Sequence, residues 1–449
     1  MLNTVKVGMV SLGCPKNQCD AELMLAKIAR AGFRLVNEPG LADVVIINTC
    51  CFIQAAKEEA IEEIMEAIHR KEDGFNKKII ITGCLSERYG ARVAEEFPEA
   101  DGVLSLAGNT DIVEAINGVL LNMRPVSGEF GNAKGHNMEG ERLLSTLPHY
   151  AYLRIADGCD NHCSYCAIPT FRGGFRSREK ENIVREARGL AENGVKEIIL
   201  VAQDVTNYGS DLYGKPALPE LLRELSAVEG VKWLRLLYCY PERVTDELIE
   251  VIKTEEKIVK YIDLPIQHCN RDILKAMNRP GDERSLWDLV AKLRGAVPGI
   301  VIRATLLVGF PGETEEQFTE LAEFVNGVKF EHLGCFAYSE EENTPAAGFP
   351  DQVEESERRH RAEVIAEQQE VRLAAYLEEL KGREYETVVE GFDRYFEMYF
   401  GRNYMYAPEI DGMLYFSAKK GKPILGRFVT VKITDVVDNN LIGEITGYL

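Results

Sequence analysis

No apolar run in this 449-residue chain approaches membrane-spanning length, and no low-complexity tract interrupts it. The N-terminal MLNTVKVGMVSLGC lacks a charged segment followed by a full apolar stretch. Its SLGC has the form of a lipoprotein cleavage site, but the apolar residues before it are too few and include turn formers. Basic residues are also in deficit, with 52 Lys+Arg against 72 Asp+Glu, a net charge of −20. Such a surface repels nucleic acid unless one domain carries a local basic face, and it suits a basic partner better. The expectation is a cytoplasmic protein with no membrane partner. In that compartment, eleven cysteines argue against disulfides and for metal or redox chemistry.

A chain of this length exceeds one ordinary core, so two or three domains are expected. KVGMVSL, DVVIINT and KKIIITG are short β-rich runs separated by amphipathic stretches such as AKEEAIEEIMEAIHR, the pattern of a parallel α/β sheet over residues 1–121. Residues 122–147 are Gly-rich and polar without periodicity and read as a linker. From 148 to 378 the alternation resumes, with strand candidates YAYLRIA, EIILVAQ, WLRLLYC, YIDLPIQ, VIRATLLVGF and HLGCFAYS. Six βα-type units predict a barrel or partial barrel whose chemistry sits at the strand C-terminal ends. Residues 379–449 turn into short β runs (EYETVVEGF, GMLYFS, RFVTVKITDVV, LIGEITGYL), a small all-β, barrel-like module.

The cysteines are placed with unusual regularity. In the first segment VGMVSLGC ends on Cys14, VVIINTC on Cys50 and KIIITGC on Cys84, each just past an apolar strand. In a parallel sheet those ends line one crevice, where three thiolates could hold a metal cluster. Small buried cysteines at helix starts are the bland alternative. Three in the same structural position favour the cluster, with Cys19 and Cys51 read as packing residues. In the second segment GCDNHCSYCAIP carries Cys159, Cys163 and Cys166 as C-x3-C-x2-C after the first strand. Three closely spaced thiolates can cap three irons of a [4Fe–4S] cluster and leave the fourth open. A zinc site would need a fourth ligand, for which only His162 is at hand.

In its barrel-like context C-x3-C-x2-C resembles the radical S-adenosylmethionine (SAM) enzymes, and the likeness extends along the chain. SLGCPKN, NTCCFI and ITGCLSERYG look like the N-terminal motifs of the methylthiotransferases, and the C-terminal β module looks like their TRAM (OB-like) domain. The resemblance implies two [4Fe–4S] clusters: one on Cys159, Cys163 and Cys166 that binds SAM through its unique iron, and an auxiliary one on Cys14, Cys50 and Cys84 that delivers sulfur. One SAM would supply the methyl group and another a 5′-deoxyadenosyl radical, with an electron donor such as flavodoxin or ferredoxin. SLGCPKN, GCDNHCSYCAIP and APEIDG (residues 407–412) look like the RimO type, which modifies the β-carbon of an aspartate on ribosomal protein uS12. The tRNA-modifying MiaB type more usually has Gln-Met where Pro15-Lys16 stands. Residues 381–449 hold nine Lys/Arg and ten Asp/Glu, no basic excess for tRNA.

Further candidates line the barrel mouth. Gln203 and Asp204, after the second barrel strand, could meet the methionyl part of SAM, or Asp204 could simply cap a turn. Arg303 is an odd charge in an apolar strand, to be met by a cofactor carboxylate or a structural one. Gly309, in VGFPGET, could let backbone approach the adenosine. Gln267 and His268 fall at the same mouth, His268 as a site-lining or packing residue or an acid–base group. The tyrosines of LYCYP read as wall residues, and Cys239, Cys269 and Cys335 as packing. The rivals to the RimO reading are the same chemistry on a tRNA adenosine and a non-catalytic metal-binding adaptor for RNA or ribosome.

Overall fold

The β-branched runs of the first segment become strands because alternate side chains can be buried on both faces of one sheet. In the computed structural model, which describes residues 5–131, 133, 135–418 and 421–449, these are β1 (Lys6–Ser11), β3 (Val44–Thr49) and β4 (Lys78–Gly83). They are joined by β2 (Arg34–Val36), β5 (Gly102–Leu104) and β6 (Val126–Ser127) in an all-parallel sheet of order β2-β1-β3-β4-β5-β6. Val45 and Ile47 pack on Ala60, Ile64 and Ile68 of α2 (Gln54–Glu72), while Val44 and Ile46 face Met24 and Ile28 of α1 (Pro15–Arg30). The three added strands have three, three and two residues, too few to show periodicity in sequence.

The stretch 122–147, read as linker, supplies β6 and buries His136. Its residues 132 and 134 lie outside the described ones.

All six strands expected in the second segment form: β7 (Tyr150–Arg154), β10 (Glu197–Val201), β11 (Trp233–Leu236), β12 (Ile258–Gln267), β13 (Val301–Val308) and β14 (His332–Ala337). They make an open parallel sheet of order β14-β13-β12-β11-β10-β7, a partial barrel, beside a two-stranded ribbon of β8 (Ala156–Asp157) and β9 (Arg176–Ser177). One face, with Leu153, Ile198, Leu200, Leu234, Ile262 and Ala304, lies under the helices. The other, with Tyr150, Tyr152, Ile199, Trp233 and Tyr261, packs against the C-terminal module.

That module is a closed barrel of β15 (Glu384–Asp393), β16 (Met398–Asn403), β17 (Leu414–Ser417), β18 (Phe428–Val437) and β19 (Asn440–Tyr448). MYFGRN was not expected as a strand, because its glycine and closing Arg-Asn hide the alternation. A buried ionic joint ties the barrel to the sheet. Glu197 accepts from Arg235 Nε and Arg402 Nη2, both at 2.7 Å, and Arg402 Nε also donates to Glu390 at 2.8 Å. Two acids of APEIDG belong to the same joint, with Tyr150 Oη donating to Glu409 at 3.0 Å and Tyr261 Oη to Asp411 at 2.7 Å. No helix among the described residues is long and apolar enough to cross a membrane.

Two cysteine sets at one junction

The C-terminal ends of the first sheet bring Cys14, Cys50 and Cys84 together as their strand-end positions imply. Cys14 is the N-cap of α1, Cys50 follows β3, and Cys84 opens the short helix α3 (Cys84–Tyr89). Gly13, at φ +87°, turns the chain so tightly against Cys50 that a Cβ there would stand 2.7 Å from the Cys50 sulfur. Only glycine takes that position without strain. Burial pushes the Cys50 and Cys84 thiols above their ordinary range. At Cys14 burial acts the same way but is outweighed by Lys16 and Arg172, and the thiol is lowered. Such a donor set ionises fully only when a cation joins it.

The second set sits in a loop clamped from several sides. Cys159 N donates to Gly173 O at 3.1 Å, Phe175 N to Asp160 Oδ1 at 3.0 Å, Asn161 Nδ2 to Asp204 Oδ2 at 3.1 Å, and Ser164 N to Met277 O at 3.0 Å. Burial lifts Cys159 to about 11, with the Cys163 charge adding to it, and Cys163 Sγ lies 3.5 Å from Tyr240 Oη. His162 is exposed at φ +49° with its carbonyl held by Asn278, a solvated loop residue. Among the described residues no three His, Cys, Asp or Glu side chains converge on a single-ion position. Three cysteines would suit a cubane that keeps one iron open, whereas a structural zinc site would need a fourth donor in each set.

Between the sets runs a buried charge network that the sequence reading missed. Arg172, in the short helix Ile168–Arg172 just beyond Cys166, donates from Nη2 to Cys84 Sγ at 3.2 Å and to Asn17 at 3.2 Å. Its Nη1 reaches Asp20 at 2.9 Å and Asp157 at 3.1 Å. His136 bridges the same carboxylates, at 2.9 Å from Asp20 and 3.0 Å from Asp157. Burial opposes its charge, but the two carboxylates overcome that and raise its pKa. Arg154 also binds Asp20. Asp20 lies 152 residues from Arg172, 116 from His136 and 134 from Arg154, beyond any local motif. Lys16 is a second omission: buried, with its ammonium 3.6 Å from the centre of the Tyr238 ring. Burial works against that charge too, but Tyr238 and the Cys14 thiol outweigh it and raise the pKa.

The remaining candidates divide. Gln203 donates to Asp157 at 2.7 Å and keeps a buried Oε1 with no partner. Asp204 caps the turn at Thr206 while holding Asn161 and Arg243, so its side chain fastens the cysteine loop. Gln267, at φ +68°, ends β12 with only its own turn, Pro265 O at 3.4 Å, as partner.

Two candidates have structural partners. Arg303 pairs with Asp263 at 3.1 Å and with Asp411 at 3.5 Å, the structural carboxylates that the strand charge allowed for. Gly309, at φ +69°, is open on the side where Arg358 packs. A Cβ there would come within 2.5 Å of Arg358 Cγ, so the absence of a side chain lets that helix pack closely. His268 is fully buried, and burial with Arg361 lowers it to about 3, a packed neutral imidazole. Cys19 is buried against Arg142 Nη1 at 3.0 Å, and Cys51 is fully buried.

Comparison with known proteins agrees with this geometry. Residues 153–325 match the radical SAM superfamily, residues 6–105 the uncharacterized protein family UPF0004, and residues 382–446 the TRAM domain. The radical SAM methyltransferase TsrM from Kitasatospora setae superposes with a TM-score of 0.56 at 15% identity, over 76% of this chain and 75% of that one. The matched families and the fold define a radical SAM enzyme closed by a TRAM barrel. The ribosomal protein uS12 methylthiotransferase RimO of Clostridium botulinum strain Langeland is 46% identical over 448 residues, all of both chains. That of Caldanaerobacter subterraneus subsp. tengcongensis is 47% identical over 98% of this chain and 99% of its own. The chain belongs to the RimO family of radical SAM methylthiotransferases.

Proposed function

We propose that this enzyme inserts a methylthio group at the β-carbon of an aspartate on ribosomal protein uS12. In this reading it carries two [4Fe–4S] clusters, on Cys14, Cys50 and Cys84 and on Cys159, Cys163 and Cys166. The observation that carries it is the junction itself: two sets of three cysteines, linked by Arg172, which touches Cys84 on one side and Asp157, two residues before Cys159, on the other. The full-length identity to the RimO proteins supports the substrate, and the net charge of −20 suits a basic ribosomal protein. The domains divide at 121, 147 and 378 in this reading, a flavodoxin or ferredoxin delivers electrons, and the work is done in the cytoplasm.

When bound, the clusters and SAM supply the adenosyl radical, the methyl group and the sulfur. The chain's own task is position. The clamped loop fixes one set of thiolates, and the Gly13 turn fixes the other. In this reading the unpartnered Gln203 Oε1 and the side chain of Gln267 would hydrogen-bond the amino and carboxylate groups of SAM. Burial of the junction keeps water from the reacting carbon.

Iron analysis of anaerobically reconstituted protein tests the assignment. Cys50→Ala and Cys159→Ala should each lose one cluster's iron, and only Cys159→Ala should lose SAM cleavage. Full iron retention in either variant would remove that cysteine from the ligand set.

A further inference from the structure

Three glutamates in a row, Glu340-Glu341-Glu342, follow β14. Like charges side by side belong in solvent, and Glu340 and Glu342 are exposed. Glu341 is not: only 2% of it meets solvent. Its carboxylate pairs with two cations from the helices of the first sheet, Lys57 Nζ of α2 at 3.0 Å and Arg88 Nη1 of α3 at 2.7 Å. Ser339 Oγ donates to its other oxygen at 3.0 Å and accepts from Gln54 N at 3.3 Å. Arg88 also donates to two carbonyls, Cys51 O and Glu342 O, both at 3.0 Å.

This clasp grips the first sheet beside its cysteines. Arg88 lies in the last turn of α3, the helix that Cys84 opens, and the Cys51 carbonyl it holds follows Cys50 directly. The start of α3 is held separately, by Arg172 on Cys84 Sγ at 3.2 Å. A helix held at both ends cannot pivot on the barrel. The same division holds at larger scale, because β7 and β14 are the two edges of the open barrel sheet. Asp20 of α1 meets Arg154 at the end of β7, and Glu341 stands in the loop after β14. The first sheet and its helices therefore bridge the open side of the barrel, fastened near both edges. A buried ion pair adds little net stability over an apolar contact of the same shape, but it fixes one register between its partners.

We propose that Glu341 is a positioning residue: through Arg88 and Lys57 it sets the place of the auxiliary cysteines relative to the second set, and so couples hydrogen abstraction to sulfur insertion. The inference rests on the function proposed above. In that function one hydrogen atom leaves the aspartate β-carbon to form 5′-deoxyadenosine. One C–S bond then forms at that carbon as the sulfur's bond to iron breaks, and the odd electron stays with the iron. Sulfur and adenosyl group are held by different domains, so the fastening between the domains decides whether the sulfur is within reach. With the sulfur out of place, the carbon radical takes a hydrogen atom from the thiol reductant of the assay. 5′-Deoxyadenosine is then formed with no methylthio group added.

The test counts 5′-deoxyadenosine against methylthiolated peptide, using reconstituted, reduced enzyme with SAM and a peptide of the uS12 aspartate loop. Glu341→Gln should raise that ratio about tenfold or more while SAM cleavage and iron content stay at the wild-type level, since ångström-scale misplacement of reacting groups can cost about a hundredfold. Lys57→Gln leaves Arg88 on the carboxylate and should raise the ratio less, and the exposed control Glu340→Gln should not move it. Hydrogen exchange of the metal-free chain gives a readout independent of turnover. In Glu341→Gln the amides of residues 84–89 should exchange faster, and those of residues 180–192, on the far side of the barrel sheet's edge, should not change. A Glu341→Gln enzyme that keeps the wild-type ratio, that loses SAM cleavage and product in equal measure, or that loses iron would overturn the proposal and leave the function standing. Methylthiolation of tRNA rather than peptide by the wild type would overturn the uS12 reading alone, because the ratio can be read on either acceptor.

Discussion

Replacing Arg172 with methionine removes a guanidinium of similar reach but no charge, and the structure gives the consequences term by term. The network holds Arg154, Arg172 and His136, whose two ring nitrogens each face an acceptor-only carboxylate and so both carry protons, against two carboxylates, Asp20 and Asp157. The surplus positive charge faces Cys84. Removing one partner of a buried pair costs about 3–5 kcal/mol. Both carboxylates retain other partners here, Asp20 in Arg154 and His136, Asp157 in His136 and Gln203. The low end, about 3 kcal/mol, is therefore expected in urea unfolding of the metal-free chain. In the loaded enzyme the auxiliary cluster loses the charge that favours its reduced, more negative state, so its potential falls in an EPR-monitored titration while that of the Cys159 cluster moves less. A stability loss under about 1 kcal/mol with an unchanged potential would refute this account of the network.

Three other outcomes follow from particular contacts. Glu197 is held at about 2 against an ordinary 4.5: burial opposes its charge, but Arg402 and Arg235 outweigh it. Because the folded value lies below the unfolded one, its stabilisation is complete above about pH 4.5 and is lost as the pH falls toward 2. The difference of 2.5 pH units corresponds to about 3 kcal/mol. Glu197→Gln should show that deficit at neutral pH and progressively less in acid, read by the fluorescence of Trp233, which packs on Phe428 across the same joint. Gly13→Ala places a Cβ 2.7 Å from the Cys50 sulfur and should halve the iron while sparing SAM cleavage. Gly309→Ala should lower the melting temperature without altering SAM binding, since its added Cβ meets Arg358.

The parts of this protein legible in sequence are those written locally. A β-branched run ending in cysteine states both a strand and where its thiol emerges, so Cys14, Cys50 and Cys84 could be placed on one crevice. C-x3-C-x2-C declares its own loop. Strands of two or three residues, such as β5 and β6, carry no period and are made by their neighbours in the sheet. The junction network was illegible for a related reason. Asp20 and His136, or Arg172 and Cys84, become partners only when three segments fold together. Arg303 shows the converse: the anomaly of a charge in an apolar strand was real, but Asp411, 108 residues further on, supplies its answer. Lys16 stood beside a recognised cysteine. Its neighbour Tyr238 lies 222 residues away, so its burial could not be seen.

The most direct test of the central claim offers the reconstituted, reduced enzyme SAM, the uS12 aspartate-loop peptide and bulk tRNA together, and follows all three by mass spectrometry. The account predicts gain of a CH2S unit on the peptide alone, abolished by Cys50→Ala and by Cys159→Ala. Gain on tRNA, or a Cys50→Ala enzyme that still modifies the peptide, would contradict it.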